Sequence, residues 1–142
     1  MGRVDLNILT ENPFVMAKEM VEEIKDQVDM IFIDFHAEAT AEKIAMGRFL
    51  DGKITALWGT HTHVQTADEQ ILPNGTGYIT DLGMTGPKDS VIGMDVNVSF
   101  KRFETTLPEK YKLAEGESML NAVEFIIDDE TNKVTEIKRI RV

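Results

Sequence analysis

The chain has no cysteine among its 142 residues. That excludes a disulfide scaffold, a thiolate metal site and a cysteine nucleophile. Positive charge is scarce too: 15 Lys+Arg stand against 25 Asp+Glu, a net charge of −10. A general nucleic-acid binder needs a surplus of Lys and Arg to displace counterions, and a peripheral membrane protein needs a polybasic patch, so the balance argues against both. Long apolar runs are missing. Met30-Ile31-Phe32-Ile33 falls far short of the roughly 20 residues that span a bilayer. The opening Met1-Gly2-Arg3-Val4-Asp5 has no apolar signal region, and Leu6 stands where a myristoylation motif wants Ser or Thr. These absences lead to the expectation of a cytoplasmic protein. What is present is ordinary for a globular domain. The hydrophobic fraction is 42%, and the length suits one domain able to bury about 68–70% of its unfolded surface.

The pattern along the chain begins with a helix. Asn12-Pro13 supplies an N-cap followed by the residue favoured at the first helical position. Phe14, Met16, Met20, Val21 and Ile24 recur at near-helical spacing, with Glu19, Glu22, Glu23, Lys25 and Asp26 on the wet side. Asp29 to Phe35 is a short, nearly continuous apolar run that reads as a strand buried on both faces. It ends in His36-Ala37-Glu38. A second helix is expected from Thr40 to Asp51, with Ala41, Ile44, Ala45 and Phe49 as its inner stripe and Gly52 as its stop. Ile54 to Trp58 reads as the next buried strand, ending in Gly59-Thr60-His61-Thr62-His63. Strand, helix, strand implies a right-handed parallel βαβ unit.

The remainder reads as mainly antiparallel. A hairpin is expected over Glu69-Leu72 and Thr76-Thr80 around Pro73-Asn74-Gly75. Asp81 to Asp95, with Gly83, Gly86, Pro87 and Gly93, reads as an ordered loop. Val96 to Phe103 suits a short helix. Lys110 to Leu113, Leu120 to Asp128 and Lys133 to Val142 suit strands, the last two joined by Asp129-Glu130-Thr131-Asn132.

All three histidines fall at the ends of the two predicted parallel strands, the carboxyl edge where open α/β sheets place their sites. If the segment after the second strand stays extended, His61 and His63 project to the same side, toward His36. Three neutral imidazoles suit zinc, manganese, iron, cobalt or nickel. Asp34, Glu38, Asp68 and Asp81 would serve as ligands or as acceptors that fix the histidine tautomers. The plainer alternative is that histidines at strand ends are hydrogen-bonded surface residues. The Asp81–Pro87 stretch admits two readings as well, an anion-binding run of backbone amides or a glycine-rich turn.

Asp34-Phe35-His36-Ala37-Glu38-Ala39-Thr40, then Gly59 through Glu69 (GTHTHVQTADE), then Ile79-Thr80-Asp81-Leu82-Gly83-Met84-Thr85-Gly86-Pro87 closely resemble the YmdB-like bacterial metallophosphoesterases of the calcineurin-like superfamily. The resemblance runs from Gly2-Arg3-Val4 to Ile137–Val142. It implies an α/β fold, half of a calcineurin-like αββα sandwich, in which a parallel βαβ unit is followed by mainly antiparallel strands. Residues 1–142 would form a single domain, the C-terminal portion of a metallophosphoesterase domain. The implied reaction is metal-dependent phosphodiester hydrolysis of cyclic nucleotides, 2′,3′-cyclic ones included. The complete family site holds two divalent transition-metal ions, such as iron, manganese or zinc. The histidines matching His36 and His61 bind one metal and that matching His63 the other. Asp34, Glu38, Thr62, Asp81, Gly83 and Thr85 are the candidates for substrate contacts or for support of the ligands.

The family's leading Asp-bearing strand, its Glu-Asn pair with the bridging Glu, and its Asn-His pair with the catalytic acid belong to an N-terminal half that has no counterpart here. Glu11-Asn12 is the only Glu-Asn dipeptide and opens a helix. No catalytic residue is therefore assigned. The expectations are weak or absent turnover by the isolated chain, and association with a second copy or with a separate N-terminal half that covers an exposed strand edge. The rival is a non-catalytic metal-binding or interaction module built from the same histidines.

Overall fold

Parallel pairing of two strands around one helix organises the molecule, a computed structural model that describes residues 1–6 and 9–142. In chain order the elements are α1 (Pro13–Ile24), β1 (Phe32–His36), α2 (Thr40–Leu50), β2 (Ala56–Thr60), β3 (Gln70–Ile71), β4 (Gly77–Ile79), β5 (Gly86–Pro87), α3 (Val96–Thr105), β6 (Ser118–Met119), β7 (Asn121–Ile127) and β8 (Val134–Arg141). The main sheet has the order β1-β2-β4-β3, with β1, β2 and β4 parallel and β3 antiparallel. The 69–80 hairpin forms as the sequence suggests, but its second strand also pairs in parallel with β2, which makes β4 a fully buried strand of the main sheet.

The sheet sits between two unlike layers. One face carries Phe35, Leu57 and Tyr78 beneath Val21 of α1 and Met46 and Leu50 of α2, which together form the core. α2 lies so close that a Cβ on Gly47 would overlap the Tyr78 ring. The other face is covered by the β7–β8 hairpin. Phe125 lies 6.2 Å from Trp58, and Phe125 and Val134 leave no room for a Cβ on Gly77. The hairpin covers β2 and β4 but stops short of β1, where Phe32 remains 46% exposed. The expectation that β1 is buried on both faces is thus corrected: it is an edge strand with one open face.

α2 departs from its predicted orientation. The buried residues are Glu42, Lys43, Met46, Gly47 and Leu50, whereas Ala41, Ile44, Ala45 and Phe49 face outward. The helix is rotated by about one residue, roughly 100°. Its inner face can hold two charged side chains because each is matched. Glu42 accepts the amides of Arg3 (2.9 Å) and Val4 (3.3 Å), and Lys43 meets a buried carboxylate. Lys110–Leu113 forms no strand; Leu113 makes a single bridge to Met94. The 81–95 loop contributes β5, which pairs with β6. α3 begins where expected, capped by Asp95 through the amides of Asn97 and Val98.

Candidate metal centre and its supports

β1 and β2 run in register, so His36 lies opposite Thr60, and His61 follows directly. His36 Nε2 and His61 Nδ1 face one another at 2.9 Å, with the rings nearly perpendicular. The remaining ring nitrogens have partners that fix the tautomers. Thr60 donates its hydroxyl hydrogen to Asp34 Oδ1 (2.7 Å), because a carboxylate only accepts. Its oxygen is then left to accept from His36 Nδ1–H (3.1 Å). Likewise His61 Nε2–H donates to Glu38 Oε2 (2.8 Å). In the neutral rings, the two nitrogens that face each other therefore both carry lone pairs. Two lone pairs at that spacing repel unless a proton or a metal cation lies between them. Two imidazoles sharing one ion at metal–nitrogen distances of about 2.0–2.1 Å would here subtend an angle of about 90°, and would have to part by a few tenths of an ångström for a tetrahedral site.

His63 does not join this pair. The segment after β2 is not extended: His61 has φ 110° and His63 φ 68°, both in the left-handed region. These are unusual values for non-glycine residues. His63 Nδ1–H donates to the carbonyl of Ile92 (3.0 Å), itself at φ 47°. Convergence of His61 and His63 on one point, expected from an extended strand, is thus replaced by two separate ring environments. Among the described residues, no group of three or more His, Asp or Glu is arranged to hold a metal ion.

The carboxylates divide by burial. Asp34 and Glu38 are exposed and serve the histidines as described. Asp81 is fully buried and forms an ion pair with Lys43 at 2.8 Å. It also accepts the amides of Thr62 (3.0 Å) and Gly83 (2.9 Å). Burial pushes its carboxyl up, but the Lys43 ammonium and these amides outweigh that and hold it below the usual value. Asp81 thus clamps the backbone between His61 and His63. Lys43 reaches it past Gly59, where a Cβ would collide with the Thr80 carbonyl and the Lys43 stem. The Thr62 hydroxyl lies 3.4 Å from the Val64 backbone and also helps to hold Asp81 ionised. Gly83 has φ 78° and packs against Gln65 and Asn121. Thr85 is exposed, between the Asp81 turn and β5. Asp68 bonds the amide and hydroxyl of Thr80 rather than any histidine. Sequence reasoning gave Thr60 no part in orienting a histidine and did not single out Lys43. The signal for Lys43 was a lysine one turn before Met46-Gly47, with Gly59 opposite it.

The family model described as YmdB-like protein matches residues 1–140. The chain belongs to the YmdB-like family. It is 52% identical over 132 residues to the 2′,3′-cyclic-nucleotide 2′-phosphodiesterase of Bacillus subtilis, covering 93% of this chain and 50% of that protein. Among solved structures it is similar to a novel phosphatase of Mycoplasma pneumoniae, with TM-score 0.90 and 41% identity over 98% of this chain and 49% of the other. A hypothetical protein of Thermus thermophilus gives TM-score 0.91 and 37% identity, covering 99% and 54%. The chain therefore spans about half the length of the family relatives it matches. The α/β architecture, with its parallel sheet and antiparallel strands, is that of the corresponding part of these structures. No helix among the described residues is long and apolar enough to cross a membrane.

Proposed function

We propose that this chain supplies the histidine-bearing half of a metal-dependent phosphodiesterase that hydrolyses cyclic nucleotides, 2′,3′-cyclic ones among them. The observation that carries it is the facing pair of lone-pair nitrogens on His36 and His61, each tautomer set by its own hydrogen bond. The substrate class is supported by the printed name of the Bacillus subtilis relative. His36 and His61 would hold a divalent transition metal, with iron, manganese and zinc all suited to imidazole. His63, its Nδ1–H committed to Ile92, would offer Nε2 to a second ion. When bound, such ions supply positive charge to a phosphoryl group and to an attacking water. The chain's own part is to set donor atoms: Asp34 acts through Thr60 on His36, Glu38 acts on His61, and Asp81 with Lys43 anchors the intervening backbone. In the reaction a water oxygen bonds to phosphorus as the 2′-oxygen leaves with a proton, which yields a 3′-phosphomonoester.

Among the described residues none is assigned the role of protonating that leaving oxygen. Full turnover would need further groups from a second copy or an N-terminal half. The open edge and exposed face of β1 support such an association. The cysteine-free composition suits the cytoplasm as its compartment.

Metal content after dialysis against manganese or zinc tests the proposal. The wild type is expected to retain up to one ion per chain and His36→Ala/His61→Ala none. Equal retention by both overturns it. Metal retained without cyclic-nucleotide hydrolysis, even after mixing with the N-terminal half of a full-length relative, would instead favour a non-catalytic metal-binding module.

A further inference from the structure

A pocket of about 210 Å³ opens beside His63 between the 84–92 loop and the ends of β6 and β8. Its lining brings two cations and a histidine together without an acid. The chain carries a net charge of −10, yet no Asp or Glu lines this pocket, while Lys88, Arg141 and His63 do. Between these polar groups the walls are soft and apolar, from Met84, Met119 and Ile92. Binding sites commonly combine such walls with a few convergent polar groups. Among the described residues the Arg141 guanidinium has no carboxylate partner and contacts the Met119 sulfur at 3.8 Å. Lys88 is paired only loosely with Glu117, at 3.4 Å, and both side chains are well exposed. Solvated surface cations would explain either residue alone. They do not explain why both flank a histidine that a strained backbone turns toward the same pocket, at φ 68° and bonded to Ile92 at φ 47°. Such left-handed non-glycine residues cost energy and cluster at functional sites.

We infer that this pocket is an anion subsite that takes the phosphomonoester of a nucleotide, with Arg141 and Lys88 on the phosphate and the methionine walls against the nucleoside. A dianionic phosphate suits a guanidinium fork better than the single negative charge of a cyclic diester. The subsite therefore favours the ring-opened 3′-phosphate over the cyclic nucleotide. The anion preference rests on the pocket itself; the choice of a nucleotide rests on the phosphodiesterase function proposed above.

The test is a titration of the chelator-treated full chain, labelled at its methionine methyl groups and followed by NMR. The probes are adenosine 3′-monophosphate, inorganic phosphate and adenosine. Adenosine 3′-monophosphate is expected to shift the Met84 and Met119 methyls at millimolar concentration, inorganic phosphate to do so more weakly, and adenosine not to. Arg141→Met should weaken binding about ten-fold and Lys88→Met by less, since one charge-assisted pair outweighs one loosely held ammonium. Because both side chains are exposed, the folded spectrum should persist in each variant. Unmoved Met84 and Met119 resonances, equal binding of adenosine, or undiminished affinity in both variants overturns the inference. Phosphate binding equal to that of the nucleotide reduces the subsite to a simple anion site and overturns the nucleotide part. The same titration on His36→Ala/His61→Ala separates the two proposals. A pocket that still binds, in a chain that never loads metal, means that only the metal proposal has failed. A wild type that holds metal but shows no Met84 or Met119 response means that only this inference has failed.

Discussion

Two clusters of charged and polar side chains sit within a few residues of each other at the carboxyl ends of the parallel strands, and they behave differently. Around Asp81, both side chains of the ion pair are 1% exposed, and Asp81 accepts bonds from Lys43, Thr62 and Gly83. Around His36 and His61 the groups are partly open to solvent, and two nitrogens face each other without an assigned proton. The first cluster is saturated and holds structure; the second is the pair proposed above to take an ion. Burial and satisfaction, rather than residue type, separate a clamp from a site.

Lys43→Met is the severest way to break that contrast. It strands a buried carboxylate, so folding stability should fall by about 3–5 kcal/mol in chemical denaturation. Lys43→Met/Asp81→Leu, which replaces the pair with apolar groups, should recover most of the loss. Because Asp81 is held below its ordinary value of 3.8, its contribution is present above that value and disappears as pH falls through the lower, folded one. The acid limb of the wild-type stability profile should therefore flatten in the double variant. An unchanged acid limb would show that folding does not lower the Asp81 carboxyl below its ordinary value.

Thr60→Val acts on the open cluster and should leave the fold nearly intact. It removes the relay from Asp34 to His36, so His36 can place its proton on the nitrogen that faces His61. Loss of such a supporting bond typically costs about 10–100-fold in metal affinity. Competition with a chelator of known affinity would read this. An affinity equal to that of the wild type would mean that the relay does not set the tautomer.

The βαβ unit and the placement of histidines at its carboxyl edge were legible because hydrophobic runs, one helix-length segment and parallel connectivity leave few alternatives. The inner face of α2 was not. Its buried positions include Glu42 and Lys43, which any hydrophobicity pattern assigns to solvent, and only the partners Arg3, Val4 and Asp81, each at least 38 residues away in sequence, reverse that. The position of His63 was hidden for a local reason. Alternation of side chains holds only in extended backbone, and nothing in Thr60-His61-Thr62-His63 announces two positive φ angles. The openness of β1 was hidden as well. Met30-Ile31-Phe32-Ile33 reads as doubly buried, and how far the β7–β8 hairpin reaches is a property of the whole fold.

The mildest change tests the contrast at the sheet edge. Phe32 lies half-exposed on β1, 6.4 Å from Trp58 and beside a groove of about 370 Å³ lined by Met16, Met20, Ile24 and Phe35. Isolated exposed apolar residues are normal, but here one adjoins a groove and the β1 edge of the sheet, where Gly2 covers only the His36 end among the described residues, a combination that recruits another chain. Phe32→Ser removes a side chain that is already half in water, so the stability of the single chain should change by no more than about 1 kcal/mol. Association should respond more. Sedimentation of the wild type alone, and with the N-terminal half of a full-length relative, is expected to show a complex in at least one case, and Phe32→Ser should weaken it several-fold. Monodisperse monomers in both experiments would mean that this edge is closed by its own charge. Asp29 and Asp34 then keep other strands away, and the site proposed at His36 and His61 must work without a covering partner.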